Sequence, residues 1–367
     1  RAPDSEPASA AETSRPSSSS SSSYPCNART IAFASGVRIA PHRRRETHEK
    51  HAFAFRVHAE SNMGEELKTL ENNTLVGNGR YRVGEEINRG GTAVVYEGYD
   101  NALGMRVALK VMNVAPDSTI AVPLKSVKRE IKYASKLGAR AAQGDLNVVR
   151  LLNVVQEGQG ILILVWELVK GMDVLDYMNS LGGVMPEETA RLYFKQLLDG
   201  IRCIHAHGFC HRDIKPENAI VETETGILKI IDFGLSKHLD SARTVGIGTP
   251  DYMAPEILGR SATPGGGASG DINGGSYETG AYDPESVDVW AMGVMLYLLL
   301  TGTYPFEDRQ RPGNVTATLR RVREGKINPF PDRVCPYAQQ LVRHMIRVDP
   351  RRRAKLSEVA EHPWLTG

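Results

Sequence analysis

The chain has 367 residues, with 45 Lys and Arg against 43 Asp and Glu, which gives a formal net charge of +2. A hydrophobic fraction of 41% and a charged fraction of 24% are those of an ordinary globular protein with one large or two smaller domains. This balance gives no case for a nucleic-acid or membrane-surface partner. The longest apolar run, residues 289–300, is too short to span a bilayer and predicts a buried helix. The four cysteines lack a CxxC pair and predict neither a zinc site nor a disulfide framework, which fits a reducing compartment.

Residues 1–62 differ in composition from the rest, with an unbroken serine run at 17–23 and an arginine triplet at 43–45. Such a segment has too little apolar surface to offset the ordering of its backbone, so we expect disorder. Its acidic residues argue against an organellar transit peptide, which is poor in acids. Because the chain begins with Arg1, Met63 is a candidate initiator. We expect a cytoplasmic or nuclear location, with an organellar one as the alternative if the tail is a transit peptide.

The next segment has the pattern of a β-hairpin that approaches phosphate. Residues 81–98 alternate in the manner of two strands joined by glycines. A Gly-rich hairpin lets backbone amides approach phosphate oxygens where side chains would clash. Residues 107–111 then predict an apolar strand that carries one inward lysine, Lys110.

A helix and two more strands are predicted after this lysine. Residues 125–137 have helical periodicity, with Glu130 on the apolar face. Buried strands are predicted at 148–152 and 161–165. Pro186 and the acids after it then open a long amphipathic helix.

The most informative stretch follows that helix. Residues 211–218 read HRDIKPEN, and Asp232, Phe233 and Gly234 begin fourteen positions after Asn218. Two short strands with a turn between them are predicted from 220 to 231. A hairpin there brings the two loops to one edge, facing a common cleft.

Phosphoryl transfer needs the residue types found on those two loops. It requires an acid to orient a hydroxyl, an amide and an acid to hold magnesium, and a cation near the moving charge. We predict that Asp213 accepts the substrate hydroxyl proton and that Lys215 neutralises the transferring group. Asn218 and Asp232 are predicted to hold Mg²⁺.

Three histidines lie at or just before the start of this stretch. His205 and His207 are expected to be surface or capping residues. His211 is expected to tie the catalytic loop together rather than to act as an acid–base catalyst.

These motifs resemble those of the eukaryotic serine/threonine protein kinases, over about residues 81–364. The resemblance implies an α+β, two-lobed fold, with a small β-rich ATP lobe at 81–168 and a larger helical lobe at 169–364. It implies ATP as co-substrate, Mg²⁺ as cofactor and proteins as substrates.

The resemblance also assigns the ATP contacts. Lys110 would bind the α- and β-phosphates and pair with Glu130, and the hinge after Trp166 would bind adenine through its backbone. The indole of Trp166, at the gatekeeper position, either closes the pocket behind adenine or rotates away as a core aromatic. The full set of expected ATP contacts is Ile87, Asn88, Gly90, Gly91, Val95, Ala108, Lys110, Glu130, Glu167, Leu168 and Asp173.

An activation segment is expected between Gly234 and Glu256. Arg212 would pair with a phosphate on Ser241 or Thr244, added by an upstream kinase. Thr249 would contact the catalytic Asp and Lys.

Three further features lie beyond that segment. Asp288 is expected to fix the backbone of the catalytic loop, and Arg353 to pair with Glu256. Residues 262–280 are rich in glycine and are expected to form a flexible insertion.

Residues 248–256, 286–290 and 302–308 resemble the calcium/calmodulin-dependent and sucrose-nonfermenting-related kinase group. The Tyr-Pro-Phe-Glu-Asp segment is similar to that of the plant osmotic-stress kinases. In such kinases, acids at the hinge and catalytic loop read arginine before the target hydroxyl, and Asp173 and Glu217 match those positions. A substrate Ser or Thr in a basic context is therefore expected.

Two other classes compete with an active protein kinase. Asn88 and Ala93 stand where the first and third glycines of the phosphate hairpin are usual, so we expect a stiffer and weaker phosphate cover. They favour a pseudokinase that acts as a nucleotide-binding scaffold. The other class is a small-molecule kinase, which would lack the peptide ledge that Thr249 and Glu256 help to build.

Overall fold

The structure is a computed structural model that describes residues 69–90, 93–115, 121–141, 147–158, 160–233, 237–238, 250–258 and 283–367. All of these residues belong to one compact unit, Thr47–Gly367. The predicted tail at 1–62 and the predicted glycine-rich insertion at 262–280 lie outside the described residues.

The small lobe is a six-stranded antiparallel sheet in the order β1-β2-β3-β4-β6-β5. Its strands are β1 Leu75–Val76, β2 Tyr81–Arg89, β3 Ala93–Asp100, β4 Met105–Asn113, β5 Leu151–Glu157 and β6 Ile161–Glu167. Val76 pairs with Tyr81. The sheet therefore begins before residue 81, where the sequence predicts the start of the domain.

The alternation of β4 decides which side of the sheet carries Lys110. Alternate residues of β4 are buried in an apolar cluster with β2, β3 and β6: Val107, Leu109 and Val111. Because successive side chains of a strand point to opposite faces, Ala108 and Lys110 face the other side. Helix α1, Leu124–Ala141, packs there and brings Glu130 to Lys110.

The large lobe is mostly helical. Its helices are α2 Val174–Ser180, α3 Glu187–Ala206, α4 Pro284–Thr301, α5 Val315–Glu324, α6 Pro336–Met345, α7 Leu356–Ala360 and α8 Pro363–Thr366. Helix α4 is buried on every side from Ser286 to Thr301, as a largely apolar helix at the centre of a lobe is expected to be. A β-rich lobe and a helical lobe confirm the predicted α+β architecture. Within the described ranges, no helix combines the length and apolarity needed to cross a bilayer.

Short strands connect the helices and carry the site. They are β7 Gly171–Asp173, β8 Phe209–Cys210, β9 Ala219–Glu222, β10 Leu228–Ile230 and β11 Lys237–His238. β9 and β10 form the predicted antiparallel hairpin, with Ile220 opposite Lys229. Asn218 precedes β9 and Asp232 follows β10, so the hairpin brings both to one edge.

The strand predicted at residues 148–152 is wrong in its first three residues. Val149 donates its N–H to Ile230 O at 3.0 Å, and Ile230 donates to Asn147 O at 2.9 Å. Residues 147–149 therefore dock on β10 of the large lobe, and β5 begins only at Leu151.

Candidate active site

The catalytic loop holds Asp213 between two side chains. Lys215 Nζ lies 2.9 Å from Asp213 Oδ2. Asn218 donates its amide N–H to the same oxygen and to Asp213 O, both at 2.8 Å. Asp213 is thus oriented from both sides, as an acid that must receive a hydroxyl proton needs to be.

Asp288, at the start of α4, supports this loop from below. Its carboxylate is fully buried and accepts the backbone N–H of His211 at 2.8 Å and of Arg212 at 2.7 Å. His205 Nε2 donates to it at 2.7 Å. Burial would raise the pKa of Asp288, but the bond from His205 and the bond from the Arg212 amide hold that pKa below its ordinary value. The expected role of Asp288 in fixing the loop backbone matches this geometry.

The surface role expected for His205 is wrong. Its side chain is 5% exposed and contacts Asp288, because its position on α3 falls on the inward face of the helix. His207 does follow the last residue of α3, and its Nδ1 donates to Cys203 O at 2.7 Å. Of the two histidines, His207 alone has the expected capping position, at the C-terminal end of α3.

His211 links the two loops of the site. Its Nδ1 accepts the N–H of Asp213 at 3.3 Å, so its Nε2 carries a proton and donates to Ile231 O at 3.2 Å. Its ring meets that of Phe233 edge to face, with centroids 5.5 Å apart. The tying role expected for His211 agrees with these contacts.

Lys110 joins the small lobe to the metal-binding loop. Its Nζ lies 2.7 Å from Glu130 Oε1 and 3.1 Å from Asp232 Oδ1. Burial disfavours the ammonium form, but the two carboxylates outweigh it and raise the pKa of Lys110. The predicted ion pair is present, and Lys110 stays a cation where nucleotide phosphates would lie.

Two non-glycine residues of the site have left-handed backbones. Arg212 has φ 70° and Asp232 has φ 61°. Such angles are uncommon for residues with a Cβ and persist where surrounding contacts impose them. Arg212 is held by Asp288, and Asp232 by Lys110. The strain therefore coincides with the two loops that orient the predicted chemistry.

Trp166 lies near the end of β6 and packs against the metal-binding loop. Its side chain is buried and stacks on Phe233, with centroids 6.2 Å apart and an interplanar angle of 18°. Its burial and stacking show a core aromatic, and closure of the pocket behind adenine stays a prediction.

The phosphate hairpin is described up to Gly90 and again from Ala93. Asn88 lies in β2 opposite Val95, so its extended backbone makes no use of the left-handed tolerance of asparagine. Gly90 donates to Ala93 O at 2.9 Å, and among the described residues a Cβ on Gly90 would meet that oxygen, at 3.7 Å. Gly91 lies outside the described residues.

The structure places other expected ATP contacts on β2 and β4 and directly after β6. Ile87 is exposed on β2, and Ala108 pairs with Trp166 between β4 and β6. Leu168 follows β6. Asp173 caps α2 by accepting the N–H of Asp176 at 2.8 Å, and burial raises its pKa.

Sequence reasoning missed an ion-pair cluster at the hinge. Glu167 is buried; it accepts from Arg150 Nε at 2.9 Å and from Lys229 Nζ at 3.0 Å. Its own N–H donates to Arg150 O at 3.0 Å. The only signal in the sequence was a lysine between Leu228 and Ile230 in an apolar strand. This cluster fixes the side chain at the point where the lobes join.

Below the cleft, Glu256 is bound by Arg353 as expected. Arg353 Nη1 and Nη2 lie 2.6 and 2.9 Å from the two Glu256 oxygens, and the arginine side chain is fully buried. Ser241, Thr244 and Thr249 lie outside the described residues. Their expected roles stay predictions.

Residues 81–365 match the family model described as a protein kinase domain. The chain therefore belongs to the protein kinase domain family.

Curated relatives agree with this placement. The chain is 31% identical over 286 residues to the SNF1-related protein kinase catalytic subunit alpha KIN12 of Arabidopsis thaliana. The aligned region covers 77% of this chain and 51% of that protein. It is 34% identical over 290 residues to calcium-dependent protein kinase 20 of Oryza sativa subsp. japonica, covering 78% and 47%. It is 32% identical over 295 residues to CBL-interacting protein kinase 20 of the same organism, covering 78% and 57%. The predicted resemblance to this kinase group is confirmed, and the chain spans about half the length of the curated relatives it matches.

Members of this family use ATP with Mg²⁺, and the residues present suit that ion. Asn218 and Asp232 offer amide and carboxylate oxygens, which are the ligands that Mg²⁺ prefers. The amide nitrogen of Asn218 is engaged by Asp213, so its oxygen is the atom that would face a metal. Ile231 donates its N–H to Asn218 O at 2.8 Å, which ties the loops of the two ligands together.

Proposed function

We propose that this chain transfers the γ-phosphoryl group of ATP to Ser or Thr hydroxyls of proteins. The observation that carries the proposal is Asp213, oriented by Lys215 and Asn218 on the same cleft as the Lys110–Asp232 pair. Such an arrangement suits transfer by positioning and charge neutralisation, with little covalent chemistry for the protein.

Each side chain has one task. Asp213 accepts the proton of the attacking hydroxyl, and Lys215 stabilises charge on the transferring group. Lys110 binds the α- and β-phosphates. Asn218 and Asp232 hold Mg²⁺, which neutralises phosphate charge when it is bound.

We further propose that the substrate hydroxyl follows a basic residue. Burial raises the pKa of Glu217, and the negative charges of Asp173 and Asp213 add to this effect, so Glu217 lies in acidic surroundings that would favour an arginine. Binding of a basic peptide then weakens as the pH falls through that raised pKa. A peptide array in which proline or acidic contexts are preferred would refute this specificity.

The first test is phosphate transfer from labelled ATP to a generic basic peptide by the full chain and by Asp213→Asn. We expect transfer to fall by at least about 10²-fold in the variant, the usual contribution of general-base catalysis. Asp199→Asn, on the exposed face of α3, is the matched control and is expected to keep full activity. Equal activity of the wild type and Asp213→Asn would refute the proposal.

If none of the three proteins transfers phosphate to the peptide, two explanations remain. The double variant Asn88→Gly, Ala93→Gly restores the usual glycines, and recovered transfer would identify the altered phosphate cover as the cause. If the double variant is also inactive, phosphorylation of Ser241 or Thr244 by an upstream kinase is tested next. Transfer that appears after this phosphorylation would support the activation role of Arg212. If no phosphate is transferred after both treatments, the result would favour a pseudokinase that acts as a nucleotide-binding scaffold.

We also propose a cytoplasmic or nuclear location, or an organellar one if the tail at 1–62 is a transit peptide. The acidic residues of that tail support the first. Microscopy of a C-terminal fluorescent fusion separates the two.

A further inference from the structure

Helix α1 has one side that is buried in the fold and another that carries a row of lysines. The buried side consists of Val127, Glu130, Tyr133, Ala134 and Leu137. The exposed side carries the lysine row, which is Lys125, Lys128, Lys132 and Lys136. Because these lysines recur at intervals of three or four residues, they lie on one face of the helix. At the usual helical rise, the row is about 16 Å long.

The lysine row meets little opposing charge in the fold. Among the residues that the structure describes, no carboxylate forms an ion pair with a lysine of the row. Glu130 is the acid of α1, but it is buried and lies 2.7 Å from Lys110 Nζ. Lys136 Nζ lies 5.4 Å from the ring centroid of Phe209, and an aromatic face attracts a cation without cancelling its charge. The exposed side of α1 is therefore strongly positive.

The row also breaks two rules of helix stability. The first turn of α1 contains Lys125 and no acidic residue, although the N-terminal end of a helix is the positive end of its dipole. Lys132 has a like charge four residues away on each side, at Lys128 and Lys136, and such pairs destabilise a helix. An anion bound along the row would relieve both effects. Local rules of this kind are broken most often at functional sites.

The surroundings of the row favour an acidic protein segment as that anion. The apolar side of α1 is buried in the core, so this helix has no free apolar face with which to enter a membrane interface. Nucleic-acid sites usually combine arginines with exposed aromatic rings, whereas the exposed side of α1 offers lysines and no ring. The net charge of +2 also leaves no broad basic surface for a polyanion.

We propose that the lysine row of α1 is a docking surface for an acidic segment of a partner protein. Carboxylates at intervals of three or four residues on the partner would each meet one lysine. Because these contacts are exposed, affinity comes from the sum of several weak ion pairs and falls with added salt. This inference does not depend on kinase activity.

The test is a binding titration of the full chain with a labelled synthetic peptide that carries glutamates at the spacing of the lysine row. Fluorescence anisotropy measures the affinity at low and at physiological ionic strength. We expect saturable binding that weakens as salt is added. A second peptide of the same composition has its glutamates clustered at one end and is expected to bind several-fold more weakly. Equal binding of the two peptides, or binding that does not saturate, would overturn the proposal.

Two double variants of equal charge test the lysines themselves. Lys128→Gln with Lys132→Gln removes the centre of the row, and we expect the affinity to fall about 5- to 10-fold, since each exposed ion pair contributes up to about fivefold. Lys195→Gln with Lys326→Gln removes the same charge from exposed positions on the large lobe, and we expect no change. Equal affinity of the two double variants would contradict a docking role for the row.

Urea unfolding checks that a loss of binding is not a loss of folding. Glutamine has about the same helix propensity as lysine, and the like-charge pairs of Lys132 disappear in the α1 double variant. We therefore expect this variant to be at least as stable as the wild type. A marked loss of stability would assign the lysines a structural role and sink the docking surface.

Competition identifies the class of anion. Displacement of the labelled peptide by its unlabelled form, but not by a single-stranded RNA oligonucleotide or by phosphatidylserine vesicles, would support an acidic protein partner. Tighter binding of the RNA or of the vesicles, with the same loss in the α1 double variant, would replace this partner by a nucleic acid or a membrane surface.

Discussion

Asp288 stands beneath the catalytic loop and fixes the backbone that presents Asp213. Its two oxygens accept from three donors, two of which are consecutive backbone amides of the catalytic loop. These bonds hold Arg212 in its left-handed conformation. A buried carboxylate that is satisfied in this way stabilises the loop, whereas an unsatisfied one would disrupt it.

We predict that Asp288→Asn lowers the free energy of unfolding by about 3–5 kcal/mol, as expected when one partner of a buried charged pair is removed. The pKa of Asp288 is lowered in the fold, so its contribution is fully present above the unfolded-state pKa. That contribution disappears as the pH falls through the lowered pKa. Urea unfolding of both proteins from neutral to acidic pH measures this. The difference between their free energies of unfolding should become smaller at acidic pH. A difference that does not change with pH would contradict this role of Asp288.

Helix α4 shows how one glycine lets two helices approach. A Cβ on Gly293 would lie 2.8 Å from Met345 Cβ and 2.9 Å from Ile346 Cγ1. Met345 ends α6, and its Cβ cannot move without its backbone. Because α4 is buried on every side, it has no open face on which to accommodate a larger residue.

We predict that Gly293→Ala destabilises the protein although alanine favours helix by about 1 kcal/mol. Overpacking costs about 1–3 kcal/mol, and two nearby rigid groups place this site at the upper end, for a net loss of about 1–2 kcal/mol. Chemical unfolding measures the difference. Asp199→Ala, exposed on α3, reports the gain in helix propensity alone. Stabilisation by Gly293→Ala would show that α4 and α6 can move apart.

The two lobes are joined at the back of the cleft by more than the chain itself. Lys110 contacts Asp232, and Lys229 contacts Glu167, each across the boundary. Residues 147–149 add backbone bonds to β10. The hinge side of the cleft is therefore held by ion pairs and backbone bonds together.

We predict that Lys229→Met weakens ATP binding several-fold and lowers the free energy of unfolding by about 2–3 kcal/mol. The buried Glu167 would keep Arg150 but lose a charge-assisted hydrogen bond, which is worth about 1.5–3 kcal/mol. Calorimetry of ATP binding and urea unfolding measure the two effects. Lys170→Met, an exposed lysine just beyond the hinge, is the control and should change neither. Unchanged ATP affinity in Lys229→Met would show that Glu167 has no influence on the hinge backbone.

Much of this molecule could be predicted because its information is local in the chain. The order and spacing of Lys110, residues 211–218 and Asp232 indicate both the family and the cleft. A hairpin of known length must bring its flanking residues to one edge. Strand and helix periods placed Lys110 and Glu130 each on the inward side of its element, and the resemblance to the family paired them. Boundaries were weaker, as at Val148, because its pairing with Ile230 competes with the sheet.

Two contacts between distant, buried polar groups were not predicted from the sequence. His205 and Asp288 are 83 positions apart, and Lys229 and Glu167 are 62 apart. No periodicity relates such pairs. The sequence also does not show whether a histidine or lysine side chain contacts water or a buried carboxylate. The sequence alone thus determined the family, the two lobes and the chemistry of the cleft, because spacing constrains local geometry. The packing of the lobes determined which polar groups are paired in the interior and which, like His362 Nε2, still lack a partner among the described residues.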